Sequence, residues 1–138
     1  MQKLYIKQTS TTPEINFSPD ENIFIISGTS SPEDVRAMYY PVIEWTKIFV
    51  DDVLEEEHNS FKAGIPLDLK IDLTYFNSSS AKFFYDILME IQRLIKAEIP
   101  VKITWYYDEE DSDMREAGAD ISLLLEMEFT YVSKSKNR

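Results

Sequence analysis

The chain has 138 residues, of which 43% are hydrophobic and 13% aromatic, and its formal net charge is −11 at pH 7. This predicts one globular domain with its own hydrophobic core. The acidic balance argues against binding to nucleic acid or to a membrane surface, since both need clustered lysine and arginine. No apolar run is long enough to span a bilayer and no signal peptide opens the sequence. The absence of cysteine fits a cytoplasmic protein.

The first thirty residues predict three short strands. Residues 4–7 form the first, and residues 14–27 predict a β-hairpin, because two alternating apolar runs flank a cluster of turn-forming residues. Residues 28–31 are expected to end the hairpin.

The first helix is predicted to begin with Ser31 as its N-cap and Pro32 at its first helical position. The apolar stripe that follows predicts a one-sided helix of about two dozen residues. Pro41 should kink this helix without ending it, because the stripe resumes in phase. His58 lies at the predicted helix end, where the spacing offers no partners for a catalytic or metal-binding role.

The second half of the chain alternates strands and helices, which are predicted at residues 67–76, 79–97, 101–107, 114–121 and 126–132. The strand–helix–strand unit over 67–107 predicts two parallel strands joined by a right-handed crossover. We therefore expect an α/β fold, a single layer of mixed β-sheet with about five or six strands and helices packed on it. The domain should span residues 1–133, and residues 134–138 should form a basic, disordered tail.

The sequence Asn77-Ser78-Ser79-Ser80 connects a buried strand to an amphipathic helix. The first N–H groups of a helix have no partner within it, and the helix dipole favours negative charge there. Ser78 is therefore a candidate phosphoacceptor, with Lys82 one turn further on to screen the phosphate. Asn and Ser are also preferred helix caps, so capping alone would explain these residues, and local physics by itself favours capping.

Other chemistry finds little support in the sequence. The acidic run 108–113 lacks the glycine and the terminal glutamate of a calcium-binding EF-hand loop. Asp72 would be a candidate base if it were buried. With three glycines and no nucleophile-elbow, zinc-protease or phosphate-binding motif, we predict no catalytic residue, no metal site and no cofactor.

Three stretches carry a family resemblance: GTSSPEDVRAMYYPVIEW (28–45), DLTYFNSSSAKFFYDIL (72–88) and WYYDEEDSDMREAGAD (105–120). Taken together, in this order and spacing, they resemble the SiaC-type bacterial regulatory phosphoproteins. That family resembles in fold the STAS-type anti-sigma-factor antagonists, whose phosphoacceptor follows an Asp or Asn at a strand-to-helix turn.

The resemblance implies a non-enzymatic partner switch. A dedicated kinase would phosphorylate the protein and a metal-dependent Ser/Thr phosphatase would reverse the modification. The unmodified form would bind and activate a diguanylate cyclase, raising cyclic-di-GMP and promoting aggregation and biofilm. The modified hydroxyl maps onto the residue after Asn77, which is Ser78; Ser79 and Ser80 remain possible competitors. With the resemblance added, the phosphoacceptor interpretation is preferred to capping alone.

Two alternatives stay open at the level of sequence. One is an anti-sigma-factor antagonist with the same kind of switch. The other is a small ligand-binding or acid–base enzyme domain that uses Asp72 and residues 77–80. A deep pocket with convergent carboxylates at that place would favour the second alternative, and a flat surface would disfavour it.

Overall fold

The computed structural model describes residues 1–56 and 59–135, which form a mixed six-stranded sheet with three α-helices. The strands are β1 (Leu4–Ile6), β2 (Glu14–Ser18), β3 (Ile23–Ser30), β4 (Leu67–Phe76), β5 (Val101–Asp108) and β6 (Thr130–Lys134). The helices are α1 (Val35–Glu55), α2 (Ser78–Lys96) and α3 (Ser112–Leu125). The predicted α/β class and the mixed sheet are confirmed.

The strands lie in the sheet in the same order as in the chain. β1, β2 and β3 pair antiparallel, which confirms the predicted hairpin, and β3 to β6 pair parallel. A helix therefore connects each parallel strand to the next one, and α2 and α3 each begin where a parallel strand ends, at its carboxyl end.

One face of the sheet is buried and the other is open. Along β4, Leu67, Leu69, Ile71 and Leu73 are buried, whereas the alternating residues from Asp68 to Thr74 are at least partly exposed. Because side chains of a strand alternate between faces, the leucine and isoleucine side is the one that the three helices cover. Buried side chains from that face and from all three helices form one hydrophobic cluster.

The first helix begins later than predicted. Its N-cap is Asp34, whose Oδ1 accepts a hydrogen bond from the Ala37 N–H at 3.1 Å. Ser31 and Pro32 lie before the helix, which starts at Val35, and the Ser31 N–H donates to the Thr11 carbonyl oxygen at 2.8 Å. The predicted N-cap is therefore wrong by three positions. α1 continues through Pro41, as predicted.

Strand β3 runs three residues beyond the predicted end of the hairpin, to Ser30. Gly28 has φ of +108°, a conformation that glycine adopts more readily than other residues, and the register with β4 shifts between Gly28 and Thr29. The strand therefore continues past Gly28 with a shifted register and does not end there. The extension brings Ser30 opposite Phe76, beside the start of α2.

The C-terminal elements also differ from their predicted bounds. α3 is longer than residues 114–121 and ends where Glu126 adopts a left-handed φ of 53°. The predicted strand 126–132 is therefore wrong at its start, because β6 begins at Thr130. Lys134, assigned to the tail, is the last residue of β6. The rest of the tail from residue 136, and His58, lie outside the described residues.

Candidate functional site

Ser78 is the first residue of α2 and it is exposed to solvent. The helix is capped by Asn77, whose side-chain oxygen accepts a hydrogen bond from the Ser80 N–H at 2.9 Å. The capping interpretation is therefore correct for Asn77. It does not use the Ser78 hydroxyl, which forms no hydrogen bond with any of the described residues.

The two following serines are held differently. The Ser79 hydroxyl is exposed but donates to the Asn77 Oδ1 atom at 3.1 Å. Ser80 is 0% exposed, so an enzyme cannot reach its hydroxyl without unfolding the first turn of α2. Of the three serines, only Ser78 combines exposure with a hydroxyl that has no partner among the described residues.

Ser80 belongs to a buried group of hydroxyls that joins three elements. The Ser30 Oγ atom lies 2.8 Å from the Ser80 Oγ and 2.5 Å from the Tyr39 hydroxyl oxygen. The Ser80 hydroxyl also donates to the Ser30 carbonyl oxygen at 3.2 Å, and the Asn77 N–H donates to that same oxygen at 3.0 Å. The start of α2 is thus tied to the end of β3, and through Ser30 to α1.

The tyrosine in this group is sealed by aromatic rings. Tyr39 is 0% exposed, its ring stacks on Phe83 at 5.6 Å between centroids, and Phe84 meets it edge-on at 5.6 Å. Burial raises the pKa of Tyr39 to about 12, an effect that the hydrogen bond with Ser30 partly offsets. The phenol is therefore protonated at neutral pH and available as a hydrogen-bond donor.

Lys82 lies one turn after Ser78, as the sequence predicts, and its side chain is 72% exposed. Its Nζ atom is 3.6 Å from Asp86 Oδ2 and 5.0 Å from the centroid of the Phe83 ring. Tyr40, which is 55% exposed, packs against the same ring at 5.8 Å between centroids. A cation from α2 and an exposed aromatic side chain from α1 therefore both lie against the Phe83 ring.

Asp72 lies apart from this surface. Its Oδ1 atom is 2.6 Å from Lys134 Nζ, on the open face of the sheet. The two residues line a cavity of about 440 Å³ together with Leu73, Thr74, Asp108, Glu110 and Asp111. Residues 77–80 do not line it, so the enzyme alternative, which needs Asp72 and this loop in one pocket, does not have that arrangement. Among the described residues, no group of three or more acidic or histidine side chains could hold a metal ion.

Sequence reasoning missed the roles of Ser30 and Tyr39. Ser30 belongs to residues 28–31, which are expected to end the hairpin, and Tyr39 falls on the apolar stripe of the first predicted helix, where a tyrosine needs no special explanation. The Ser30 hydroxyl meets that of Ser80 across 50 positions of sequence, and Tyr39 joins them only through Ser30, so no local pattern reports these contacts.

An exposed serine on a helix start that buried hydrogen bonds hold in place is accessible to a modifying enzyme. Comparison with known proteins agrees. The chain belongs to the SiaC family of regulatory phosphoproteins, since the model of that family matches residues 6–134. It is also 29% identical over 120 residues to an uncharacterized protein of Pseudomonas aeruginosa strain UCBPP-PA14, with 87% of each chain covered.

Solved structures support the same assignment. The chain is similar to apo-SiaC from Pseudomonas aeruginosa, with a TM-score of 0.80 and 26% identity, over 96% of this chain and 100% of that one. It is also similar, with a TM-score of 0.77 and 26% identity, to a chain in the crystal structure of the diguanylate cyclase SiaD in complex with its activator SiaC. That match covers 96% of this chain and 98% of the other. No helix among the described residues is long and apolar enough to cross a membrane.

Proposed function

We propose that this protein is a phosphorylation-gated partner-switching regulator whose phosphoacceptor is Ser78. The observation that carries the proposal is the difference between the three serines. Ser78 is exposed with a free hydroxyl, the Ser79 hydroxyl is bound to the cap residue, and Ser80 is buried. Membership of a family of regulatory phosphoproteins supports a phosphorylated residue in this chain.

The start of α2 suits a phosphate. The group would add a charge of about −1.5 to −2 beside N–H groups of the first turn that have no helical partner. Favourable interaction with the helix dipole is worth roughly 0.3–1 kcal/mol for an anion at such a place. Lys82, four residues on, is held by Asp86 across 3.6 Å on a mostly exposed surface, so a phosphate can compete for it. Phosphorylation should therefore change the surface charge and leave the fold intact.

The partner in the unmodified state would be a diguanylate cyclase, which this protein would bind and activate. The support is family membership and the likeness to the SiaC activator of SiaD. The activated cyclase would raise cyclic-di-GMP and so control aggregation and biofilm. The exposed ring of Tyr40, which packs against Phe83 of α2, offers the kind of aromatic anchor that protein interfaces favour.

The cycle would need two further enzymes, a dedicated Ser/Thr kinase and a metal-dependent phosphatase, and would operate in the cytoplasm. In this proposal the protein catalyses no reaction itself, needs no cofactor, and residues 1–133 act as one regulatory domain. Neither the anti-sigma-factor alternative nor the acid–base enzyme alternative is favoured by a specific contact of the described residues.

The test compares Ser78→Ala, Ser78→Asp and the neighbouring control Ser79→Ala. We expect Ser78→Ala to bind the cyclase as the unmodified protein does and to take up no phosphate from the kinase. Ser78→Asp should bind the cyclase at least about tenfold more weakly, since a desolvated charge at an interface costs more than 1.4 kcal/mol. Ser79→Ala should behave as wild type. Stoichiometric phosphate on Ser78→Ala would show that the assignment is wrong.

A further inference from the structure

Three buried hydroxyls lie next to the phosphoacceptor, and each belongs to a different element: Tyr39 to α1, Ser30 to β3 and Ser80 to α2. We propose that Tyr39, Ser30 and Ser80 are positioning residues that decide which serine is phosphorylated. They hold the first turn of α2 in the one arrangement that presents Ser78 to a kinase and keeps Ser79 on the cap. This proposal rests on the proposed function of Ser78.

The hydrogen bonds among these three hydroxyls have one consistent direction from donor to acceptor. A serine hydroxyl has a single proton, and that of Ser80 goes to the Ser30 carbonyl oxygen at 3.2 Å. The Ser30 hydroxyl then donates to the Ser80 Oγ at 2.8 Å, and this leaves Tyr39 as the donor to the Ser30 Oγ at 2.5 Å. Each of the three hydroxyl protons is donated to an oxygen atom. The hydrogen-bonding needs of these buried groups are therefore met in a site that solvent does not reach.

The first turn of α2 is held both by these buried hydroxyls and by the N-cap residue Asn77. The Ser30 carbonyl oxygen accepts from both the Ser80 hydroxyl and the Asn77 N–H. The Asn77 side-chain oxygen accepts in turn from the Ser80 N–H and from the Ser79 hydroxyl. A shift that withdraws Ser80 from the core also breaks the geometry that keeps the Ser79 hydroxyl on Asn77. Loss of the hydrogen bonds among the buried hydroxyls should therefore free the Ser79 hydroxyl to become a second site of phosphorylation.

The three hydroxyls are not equivalent, so the proposal predicts effects of different size when each one is removed. Tyr39→Phe removes one donor and leaves the Ser30–Ser80 bond in place. Ser30→Ala removes that bond and also leaves the Tyr39 hydroxyl buried without an acceptor, which is the costlier defect. Adding Tyr39→Phe to Ser30→Ala removes the unpaired hydroxyl, so the double variant should be less impaired than the two single effects predict.

The experiment measures phosphorylation of the full chain by its cognate kinase, with the phosphate located by tandem mass spectrometry. We expect kcat for Ser78 to fall roughly threefold to tenfold in Tyr39→Phe and roughly tenfold or more in Ser30→Ala, with KM unchanged because the docking surface is intact. The share of phosphate on Ser79 should rise in the same order. Amide hydrogen exchange at residues 78–81 should accelerate in parallel. Tyr5→Phe, at an exposed tyrosine of β1 on the edge of the sheet, is the control and should match wild type.

A purely structural role would lower the folded fraction without moving phosphate from Ser78 to Ser79. An unchanged site distribution in Tyr39→Phe and Ser30→Ala, with wild-type exchange at residues 78–81, overturns the positioning proposal alone. If Ser30→Ala does not fold, Tyr39→Phe decides the question by the same two readouts. Absence of phosphate from Ser78 of the wild-type chain would instead overturn the proposed function.

Discussion

At the scale of single residues, the surroundings of each hydroxyl determine what it can do. Ser78, Ser79 and Ser80 have the same side chain, yet one is free in solvent, one binds the cap and one is sealed in the core. Helical geometry produces this difference, since successive residues point about 100° apart around the axis, at 3.6 residues per turn. A buried hydroxyl must also find partners, and Ser80 finds them in Ser30.

The burial of Tyr39 leads to a prediction about alkaline pH. Its pKa is raised from 10.0 to about 12, so the folded protein keeps a proton that the unfolded chain loses between these values. The stability that this tyrosine contributes is complete below pH 10 and is lost as the pH rises towards 12. The slope of the unfolding free energy there is at most about −1.4 kcal/mol per pH unit.

Urea denaturation at pH 8, 10 and 11 measures this slope. Tyr39→Phe should show a shallower fall in stability above pH 10 than wild type, although it is less stable at pH 8 because a hydrogen bond is missing. Tyr40→Phe should keep the wild-type slope. Parallel curves for wild type and Tyr39→Phe would contradict the burial of a protonated phenol.

At the scale of elements, close contacts between helices and strands place the helix starts. α3 packs on β5 through Gly118, where an added Cβ would lie 2.6 Å from the Trp105 ring atoms Cδ1 and Nε1. Trp105 cannot withdraw easily, because it is 0% exposed and its Nε1–H donates to the Met114 carbonyl oxygen at 2.9 Å. Glycine at this helix position permits the close approach of α3 to the sheet.

Gly118→Ala should therefore destabilise the protein. Alanine is better than glycine in a helix by about 1 kcal/mol, but overpacking against a fixed ring costs typically 1–3 kcal/mol, so we expect a net loss of up to roughly 2 kcal/mol. Thermal unfolding followed by circular dichroism measures the change. Asp120→Ala, on the exposed side of the same helix, is the control and should be neutral or slightly stabilising. A Gly118→Ala variant more stable than wild type would show that α3 is free to move away from Trp105.

At the scale of the whole molecule, the strand order and the single buried face of the sheet leave the start of α2 accessible as a binding surface. The strands follow one another across the sheet and the three helices share one side, so the start of α2 opens to solvent at the carboxyl end of β4. The chain has a formal charge of −11, which favours partners with basic surfaces. Phosphorylation would add further negative charge at the start of α2. A change of charge on a rigid surface can switch partner binding without refolding.

The sequence determines local elements better than it determines their ends and contacts. The bounds of β4 follow from the alternation of apolar and polar residues, and the position of Ser78 follows from the change of period after it. The start of α1 was predicted three residues too early, because Ser and Asp are both preferred caps and local sequence does not distinguish Ser31 from Asp34. The buried hydroxyl chain was missed for a related reason. Its members are far apart in sequence and each one alone has an ordinary explanation.

The most direct test of the central claim is the mass and site of phosphorylation of this protein from its native host, with and without treatment by the cognate phosphatase. We predict one phosphate per chain in the modified fraction, located on Ser78, removed by the phosphatase, and accompanied by restored binding to the cyclase. Phosphate on another residue, or cyclase binding that is equal for the modified and unmodified fractions, would contradict the account.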